Sequence, residues 1–213
     1  MAAKIASIMN TAHLPFNWFD IVVLILLMIG IRSGRKHGMS QEVMFMLNWV
    51  ALVLLCGIAY EPLGVWLATT IGLGKLFAYI LAYALTAAFV VLVFVFLNRV
   101  IGERLKGSDT FGKAEYYLAM PAGMVRFACI ILAFLALLNA RLYLTSEINA
   151  MTKFQDENYG SQFFPTLQSV QSDIMDQSLV GAQVKKHLSF LLIKPTAPGV
   201  VAQQVKRKEF TLP

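Results

Sequence analysis

The chain alternates between long apolar runs and short charged stretches. Four runs, at about residues 17–31, 43–60, 76–97 and 122–143, contain at most two charged residues each. A bilayer core of about 30 Å is crossed by about 20 mostly apolar helical residues. The pattern therefore predicts an all-α integral membrane protein with four transmembrane helices.

Charged or helix-breaking residues mark the ends of these predicted spans. Glu61-Pro62 is expected to end the second span and Asn98-Arg99 the third, while Pro121 stands where the fourth helix would start. The apolar stretch 63–73 is too short to cross a bilayer. We therefore expect it to lie at the interface or to re-enter the membrane.

The spans divide the chain into an N-terminal extension (1–16), a membrane domain (17–145), an extramembrane segment (146–194) and a tail (195–213) that is expected to be poorly ordered. The extramembrane segment is predicted to hold one amphipathic helix starting near Pro165, because its apolar residues recur near helical spacing. These residues are Leu167, Val170, Ile174, Val184 and Leu188. Such a helix has three alternative positions: on the bilayer, on a partner, or on its own bundle.

Composition places the chain outside the soluble globular class. Hydrophobic residues make up 58% of the sequence and charged residues 14%, which excludes a soluble enzyme and a disordered tail. The net charge of +6 would suit nucleic acid. The basic residues flank the apolar runs, however, so we expect a lipid bilayer rather than nucleic acid as the partner.

The distribution of Lys and Arg predicts an orientation. The connections after the first and third spans hold seven of them, against four within reach of the membrane on the opposite side. The seven are Arg32, Arg35, Lys36, Arg99, Arg104, Lys106 and Lys113. Because Lys and Arg gather on cytoplasmic loops, we expect both connections in the cytoplasm and both termini outside.

Motifs of catalysis are absent from the sequence. It contains no P-loop, no dinucleotide-binding glycine fingerprint, no HExxH and no GxSxG. Cys56 and Cys129 lie inside apolar runs with no other ligand at metal-binding spacing, and the three histidines are far apart. We therefore expect no enzymatic activity, and we assign no catalytic residue, no cofactor and no metal site.

Ionisable residues in or beside the spans are the main functional candidates, because burying a charge costs several kcal/mol unless it is paired. Asp20 also fits a capping box with Asn17, a purely structural role. Glu42 and Arg126 are predicted to lie at similar depths, since each is within about two helical turns of the cytoplasmic end of its span. They are expected to form an ion pair there; the alternative is that each reaches water separately.

Glycines recur every four residues at the cytoplasmic end of the first span. Gly30, Gly34 and Gly38 give this helix a smooth stripe that permits close backbone approach. The contact is expected either with another helix of the same chain or with a second copy in an oligomer.

Together these residues carry a resemblance to a known family. Trp18 and Asp20 open the first span, and Gly38, Glu42 and Trp49 follow Asp20 at successive spacings of 18, 4 and 7 residues. Near the fourth span stand Glu115, Gly123 and Arg126. Over about residues 16–145 the chain resembles the colicin V production protein family. It departs from the usual pattern at His37, Ala119 and Phe127.

The resemblance implies a small bacterial inner-membrane protein, and it marks Asp20, Glu42, Glu115 and Arg126 as candidate polar residues and Gly123 as a packing residue. It further implies an auxiliary role in toxin production or export, or in envelope maintenance, through other membrane proteins. The alternative is a small channel or transporter subunit that works as a homo-oligomer, because four spans enclose little room for a pathway.

Overall fold

The computed structural model describes residues 17–106, 115–159 and 165–197, and nearly all of this part is helical. The helices are α1 (Trp18–His37), α2 (Met39–Ile71), α3 (Lys75–Lys106), α4 (Glu115–Leu138), α5 (Thr145–Tyr159), α6 (Leu167–Ser172) and α7 (Leu179–His187). A π-helical turn, Asp173–Gln177, joins α6 to α7, and a 3-10 turn, Ser189–Leu191, follows. The predicted N-terminal extension and nearly all of the predicted tail lie outside the described residues.

Three of the described helices are long and apolar enough to cross a membrane. They comprise Gln41–Ile71 of α2, Lys75–Val100 of α3 and Glu115–Leu138 of α4. The chain is therefore a multi-pass membrane protein. Four spans were expected. The remaining one, α1, has 20 residues but carries Asp20 near its start and a basic cluster in its last turns, which lowers its mean hydropathy.

The four long helices form a row in the order α1, α4, α2, α3. α4 packs against both α1 and α2, and α2 also packs along α3. α1 and α4 run in opposite directions, since Gly30 lies against Gly123 and Gly34 against Ala119. Buried aromatic and small residues fill the α2–α3 contact, where the rings of Tyr60 and Tyr79 meet edge to face at 5.7 Å.

The helix that contains the second predicted span does not end at Glu61-Pro62. α2 continues through Pro62 to Ile71, so the stretch expected to be interfacial or re-entrant is part of one long helix. Packing outweighs the hydrogen bond that proline removes. Leu67 is buried against α3, and Gly64 lies so close to the Tyr79 ring that a Cβ there would collide with it.

Two other predicted helix ends also differ from the structure. α3 passes Asn98-Arg99 and ends at Lys106. α4 begins at Glu115, which places Pro121 inside the helix rather than at its start. The buried residues Ala119, Ala122 and Gly123 lie on both sides of Pro121. Their close packing offsets the backbone hydrogen bond that is missing at the proline, so the helix continues through it.

The C-terminal segment, residues 165–197, forms two short helices, α6 and α7, instead of the single amphipathic helix expected to start near Pro165. The helical conformation is interrupted at Ser178, whose backbone is extended. The Ser178 hydroxyl caps α7 by accepting a 2.9 Å hydrogen bond from the amide of Gly181. Ile174, Val184 and Ile193 are buried in the main core. Three positions were expected for this segment: on the bilayer, on a partner or on its own bundle. The structure shows it on its own bundle, where it covers one end.

Candidate functional site

A fully buried carboxylate, that of Glu42, lies at the turn between α1 and α2. Gly38 ends α1 and begins α2 with φ at +76°, a conformation that other residues adopt with strain. The amide of Glu42 donates to the Gly38 carbonyl at 3.1 Å. This turn directs the Glu42 side chain inward, and its solvent exposure is 0%.

Arg126 of α4 provides the countercharge. Its Nη1 lies 2.9 Å from Oε1 of Glu42, and only 13% of the arginine side chain is exposed. Its Nη2 donates a 2.9 Å hydrogen bond to Oγ of Ser33 on α1. The predicted pair is therefore present, and a single guanidinium connects α1, α2 and α4.

Two aromatic rings enclose the Arg126 guanidinium. Its central carbon lies 5.6 Å from the ring centre of Phe45 and 5.1 Å from that of Phe127. A cation over an aromatic face is stabilised by the ring quadrupole, by about 0.5–2 kcal/mol. Phe45 and Phe127 thus support the arginine through cation–π contacts.

The Glu42 carboxylate has unused hydrogen-bonding capacity. Neither oxygen accepts a hydrogen bond with good geometry from a described residue, although Arg126 lies in ion-pair contact with one of them. Nδ1 of His37 is 3.7 Å from Oε2 and 2.9 Å from the Ser33 carbonyl. His37 therefore hydrogen bonds the backbone, and Glu42 relies mainly on the charge of Arg126.

Glu115 lies at the same end of the bundle. Its Oε1 is 2.8 Å from the position that a Cβ on Gly38 would occupy, so Glu115 covers the turn that presents Glu42. Three of the four predicted polar candidates, Glu42, Glu115 and Arg126, are thus gathered around Gly38. Sequence reasoning placed Glu42 and Arg126 at a similar depth but did not indicate that Glu115 joins them at the Gly38 turn.

The predicted glycines position this site. A Cβ on Gly34 would collide with the Ala119 carbonyl, and one on Gly30 would lie 2.8 Å from the Gly123 carbonyl oxygen. The backbones of α1 and α4 therefore touch within one chain. Of the two contacts expected for these glycines, this is the one with another helix of the same chain rather than with a second copy. Gly38 is not part of that contact, because it forms the turn.

Asp20, the fourth polar candidate, lies away from this cluster, near the start of α1. Its carboxylate accepts a 2.9 Å hydrogen bond from the Asn17 amide and completes the expected capping box. It also accepts from the amides of Leu179 and Val180 at 3.1 and 3.0 Å. Asp20 thereby caps α7 as well as α1 and holds the C-terminal segment to the bundle.

Further contacts of the C-terminal segment involve Asn139, a polar residue of the fourth predicted span, and Tyr60, which sequence reasoning missed. The Lys194 amide donates to the Tyr60 hydroxyl at 3.2 Å, and the Asn139 side chain donates to the Ile193 carbonyl at 2.9 Å. Nζ of Lys194 lies 2.7 and 2.8 Å from the two carboxylate oxygens of Glu61. These hydrogen bonds raise the pKa of Lys194.

The arrangement around Glu42 is suited to holding a charge and joining helices. Across residues 17–106, 115–159 and 165–197, no three His, Cys, Asp or Glu side chains are grouped as metal ligands would be. A buried pair of one carboxylate and one guanidinium that contacts three helices fits a structural or switching role.

Comparison with known proteins gives one match. The family model described as "Colicin V production protein" matches residues 19–171, which include all four predicted polar candidates. The match extends past the membrane helices as far as α6. Neither a curated protein nor a solved structure matches the chain.

Proposed function

We propose, from the premise that this chain belongs to the colicin V production protein family, that it is an auxiliary protein of the bacterial inner membrane. In this role it supports toxin production or export, or envelope maintenance, by acting on other membrane proteins. The family match and the three apolar helices support the proposal.

The observation that carries this proposal is the link from Arg126 to Glu42 and Ser33. A buried ion pair across three helices favours one defined arrangement of the bundle, because any other arrangement strands a charge. A protein that assists others needs such a defined surface rather than a catalytic centre. We therefore expect its activity to depend on this link.

Complementation tests the proposal. A strain lacking the gene and carrying a colicin V plasmid would receive the natural protein, Arg126→Gln or Lys153→Gln. Lys153 is the control because its side chain is 78% exposed on α5. Active toxin in the medium and survival in detergent are measured, with membrane levels of each variant checked by immunoblot.

We expect the natural protein and the Lys153 variant to restore toxin release or detergent resistance, and Arg126→Gln to restore neither. If the gene deletion changes neither phenotype, the proposed role is refuted. If Arg126→Gln is present at normal levels and restores both, the ion pair is not needed for the role.

We further propose that α1 is a fourth span and that both termini lie outside the cytoplasm, as the seven-to-four distribution of basic residues suggests. Alkaline phosphatase fused after Lys194 should be active, and a fluorescent protein exported through the general route to the same point should stay dark. The opposite result would reverse the orientation.

A second candidate function is that of an oligomeric channel or transporter subunit. It is favoured by a groove of about 90 Å³ between α2 and α3, lined by Asn48, Val91 and Asn98 among others. Oδ1 of Asn48 is buried yet accepts no hydrogen bond from the described part of the chain. In lipid such a group is stabilised by a polar side chain of another helix.

Measurements of oligomeric mass and of ion flux distinguish the two candidate functions. An oligomer in mild detergent, loss of that oligomer in Asn48→Leu, and ion flux in proteoliposomes would together favour the channel. A monomer that conducts nothing in liposomes would exclude it and leave the auxiliary role.

A further inference from the structure

A basic groove opens at the Gly38 end of the bundle, between α1 and α4. It has a volume of about 650 Å³, and its walls are formed by three cations of α1 together with two aromatic residues and one methionine of α4. They are Arg32, Arg35, Lys36, Tyr116, Tyr117 and Met120. Arg32 and Arg35 are three residues apart on one helix and therefore project to the same side.

An apolar groove of about 450 Å³ continues from the basic one toward the middle of the bundle. It shares Arg32, Arg35 and Met120 with the basic groove and adds the aliphatic residues Ile25, Met28, Ile29 and Ile31. Ile25 and Ile29 are one turn apart and both about half exposed. The two grooves together place a cationic end beside an aliphatic channel.

The three cations of the groove lack countercharges among the residues that the structure describes. None of them forms an ion pair with a described residue, whereas Arg126, Lys185 and Lys194 each do. Two exposed tyrosines stand next to them. Tyrosine is enriched at the headgroup level of membranes, where its ring contacts lipid and its hydroxyl meets water.

From this arrangement we propose that the groove binds one anionic phospholipid. Arg32 and Arg35 hold the phosphate by charge-assisted hydrogen bonds, and Lys36 adds a third positive charge. Tyr116 and Tyr117 line the headgroup region, and an acyl chain lies along Ile25 and Ile29. The site follows from charge and shape, so it is independent of the proposed role in toxin production.

Charge and apolar length together identify the occupant. Inorganic phosphate would use the basic groove alone and leave the aliphatic channel empty. A zwitterionic phospholipid would fill the channel, but its choline group would lie among the cations of α1. Only a lipid with net negative charge complements both parts of the site.

Native mass spectrometry of the full chain in mild detergent tests this proposal. Phosphatidylglycerol and phosphatidylcholine with identical acyl chains are titrated, and the fraction of protein with one bound lipid is measured. Inorganic phosphate and phosphatidylglycerol are compared in parallel by their effects on thermal unfolding. Arg35→Gln is compared with Arg99→Gln, which removes the same charge from an exposed position on α3.

We expect one phosphatidylglycerol to bind the natural protein and Arg99→Gln equally. Binding to Arg35→Gln should be about tenfold weaker or more, as loss of a charge-assisted hydrogen bond predicts. Phosphatidylcholine should bind at least tenfold more weakly, and phosphate should not raise the unfolding temperature.

Three results would overturn the proposal: equal weakening in both variants, equal binding of the two lipids, or stabilisation by phosphate alone that matches the lipid. Lys36→Gln serves as a second variant if Arg35→Gln proves unstable. Retention of full phosphatidylglycerol affinity in Lys36→Gln and Arg35→Gln together would likewise reject the site.

Discussion

Removing Arg126 should destabilise the protein more than neutralising its partner Glu42. In Arg126→Gln the Glu42 carboxylate stays fully buried, and the remaining side-chain nitrogen near it is Nδ1 of His37, at 3.7 Å from Oε2. A buried charge that loses its partner typically costs about 3–5 kcal/mol. We expect the free energy of unfolding to fall by this amount.

Neutralising Glu42 instead leaves the Arg126 guanidinium as the unpaired charge, and that group has other stabilising contacts. In Glu42→Gln the guanidinium of Arg126 keeps its hydrogen bond to Ser33 and its contacts with the rings of Phe45 and Phe127. These contacts retain part of the stabilisation, at about 0.5–2 kcal/mol for each ring. The expected loss is therefore smaller, about 1–3 kcal/mol.

The double variant measures the interaction itself. With both groups neutral no charge is stranded, so its loss should be smaller than the sum of the two single losses by about 1–3 kcal/mol. Unfolding would be followed in mixed micelles with a thiol-reactive dye, because the protein's two cysteines, Cys56 and Cys129, are both buried. Additive losses, or a larger loss in Glu42→Gln than in Arg126→Gln, would refute the reasoning.

Three further predictions concern other contacts. Gly34→Ala should cost about 1–3 kcal/mol in the same unfolding assay, because its Cβ meets the Ala119 backbone; Gly74→Ala, which meets nothing within 4 Å, should change stability by less than about 0.5 kcal/mol. Asp20→Asn should accelerate amide exchange in α7 but not in α3, since it removes a charge that accepts from two α7 amides; unchanged exchange in α7 would contradict the capping role. Lys194→Met should lower the unfolding temperature slightly and equally from pH 7 to 9. Because the folded pKa of Lys194 is raised, this difference should disappear as the pH rises above the usual 10.5; a difference that persists there would show that charge is not its source.

The depth of a residue along a helix was predictable from sequence, whereas the direction of its side chain was not. Glu42 and Arg126 could be paired because each stands a known number of residues from a span end, at 1.5 Å per residue. Ser33 and Phe45, which complete the site, could not be identified. Whether these side chains face the site depends on how α1 and α2 are rotated about their axes. These helices are mostly apolar on all sides, so no periodic pattern in the sequence indicates that rotation.

Local signals also failed where distant packing overrides them. Glu61-Pro62 is a reasonable helix end, but the contact of Leu67 and Gly64 with α3 carries the helix past it. The break at Ser178 was missed for a similar reason. Besides the local cap by Ser178, two amides at the start of α7 donate to Asp20, which stands 159 residues earlier in the chain than Leu179.

The capping of α7 by Asp20 has a consequence for biogenesis. During synthesis α1 leaves the ribosome long before Leu179 and Val180 are made. While the other helices are inserted, the Asp20 carboxylate therefore lacks the two hydrogen bonds that these amides later donate. The end of the bundle can be covered only when nearly the whole chain has been synthesised. A chain truncated before α7 would keep an incompletely bonded aspartate at the membrane, and proteases that survey unassembled helices should degrade it.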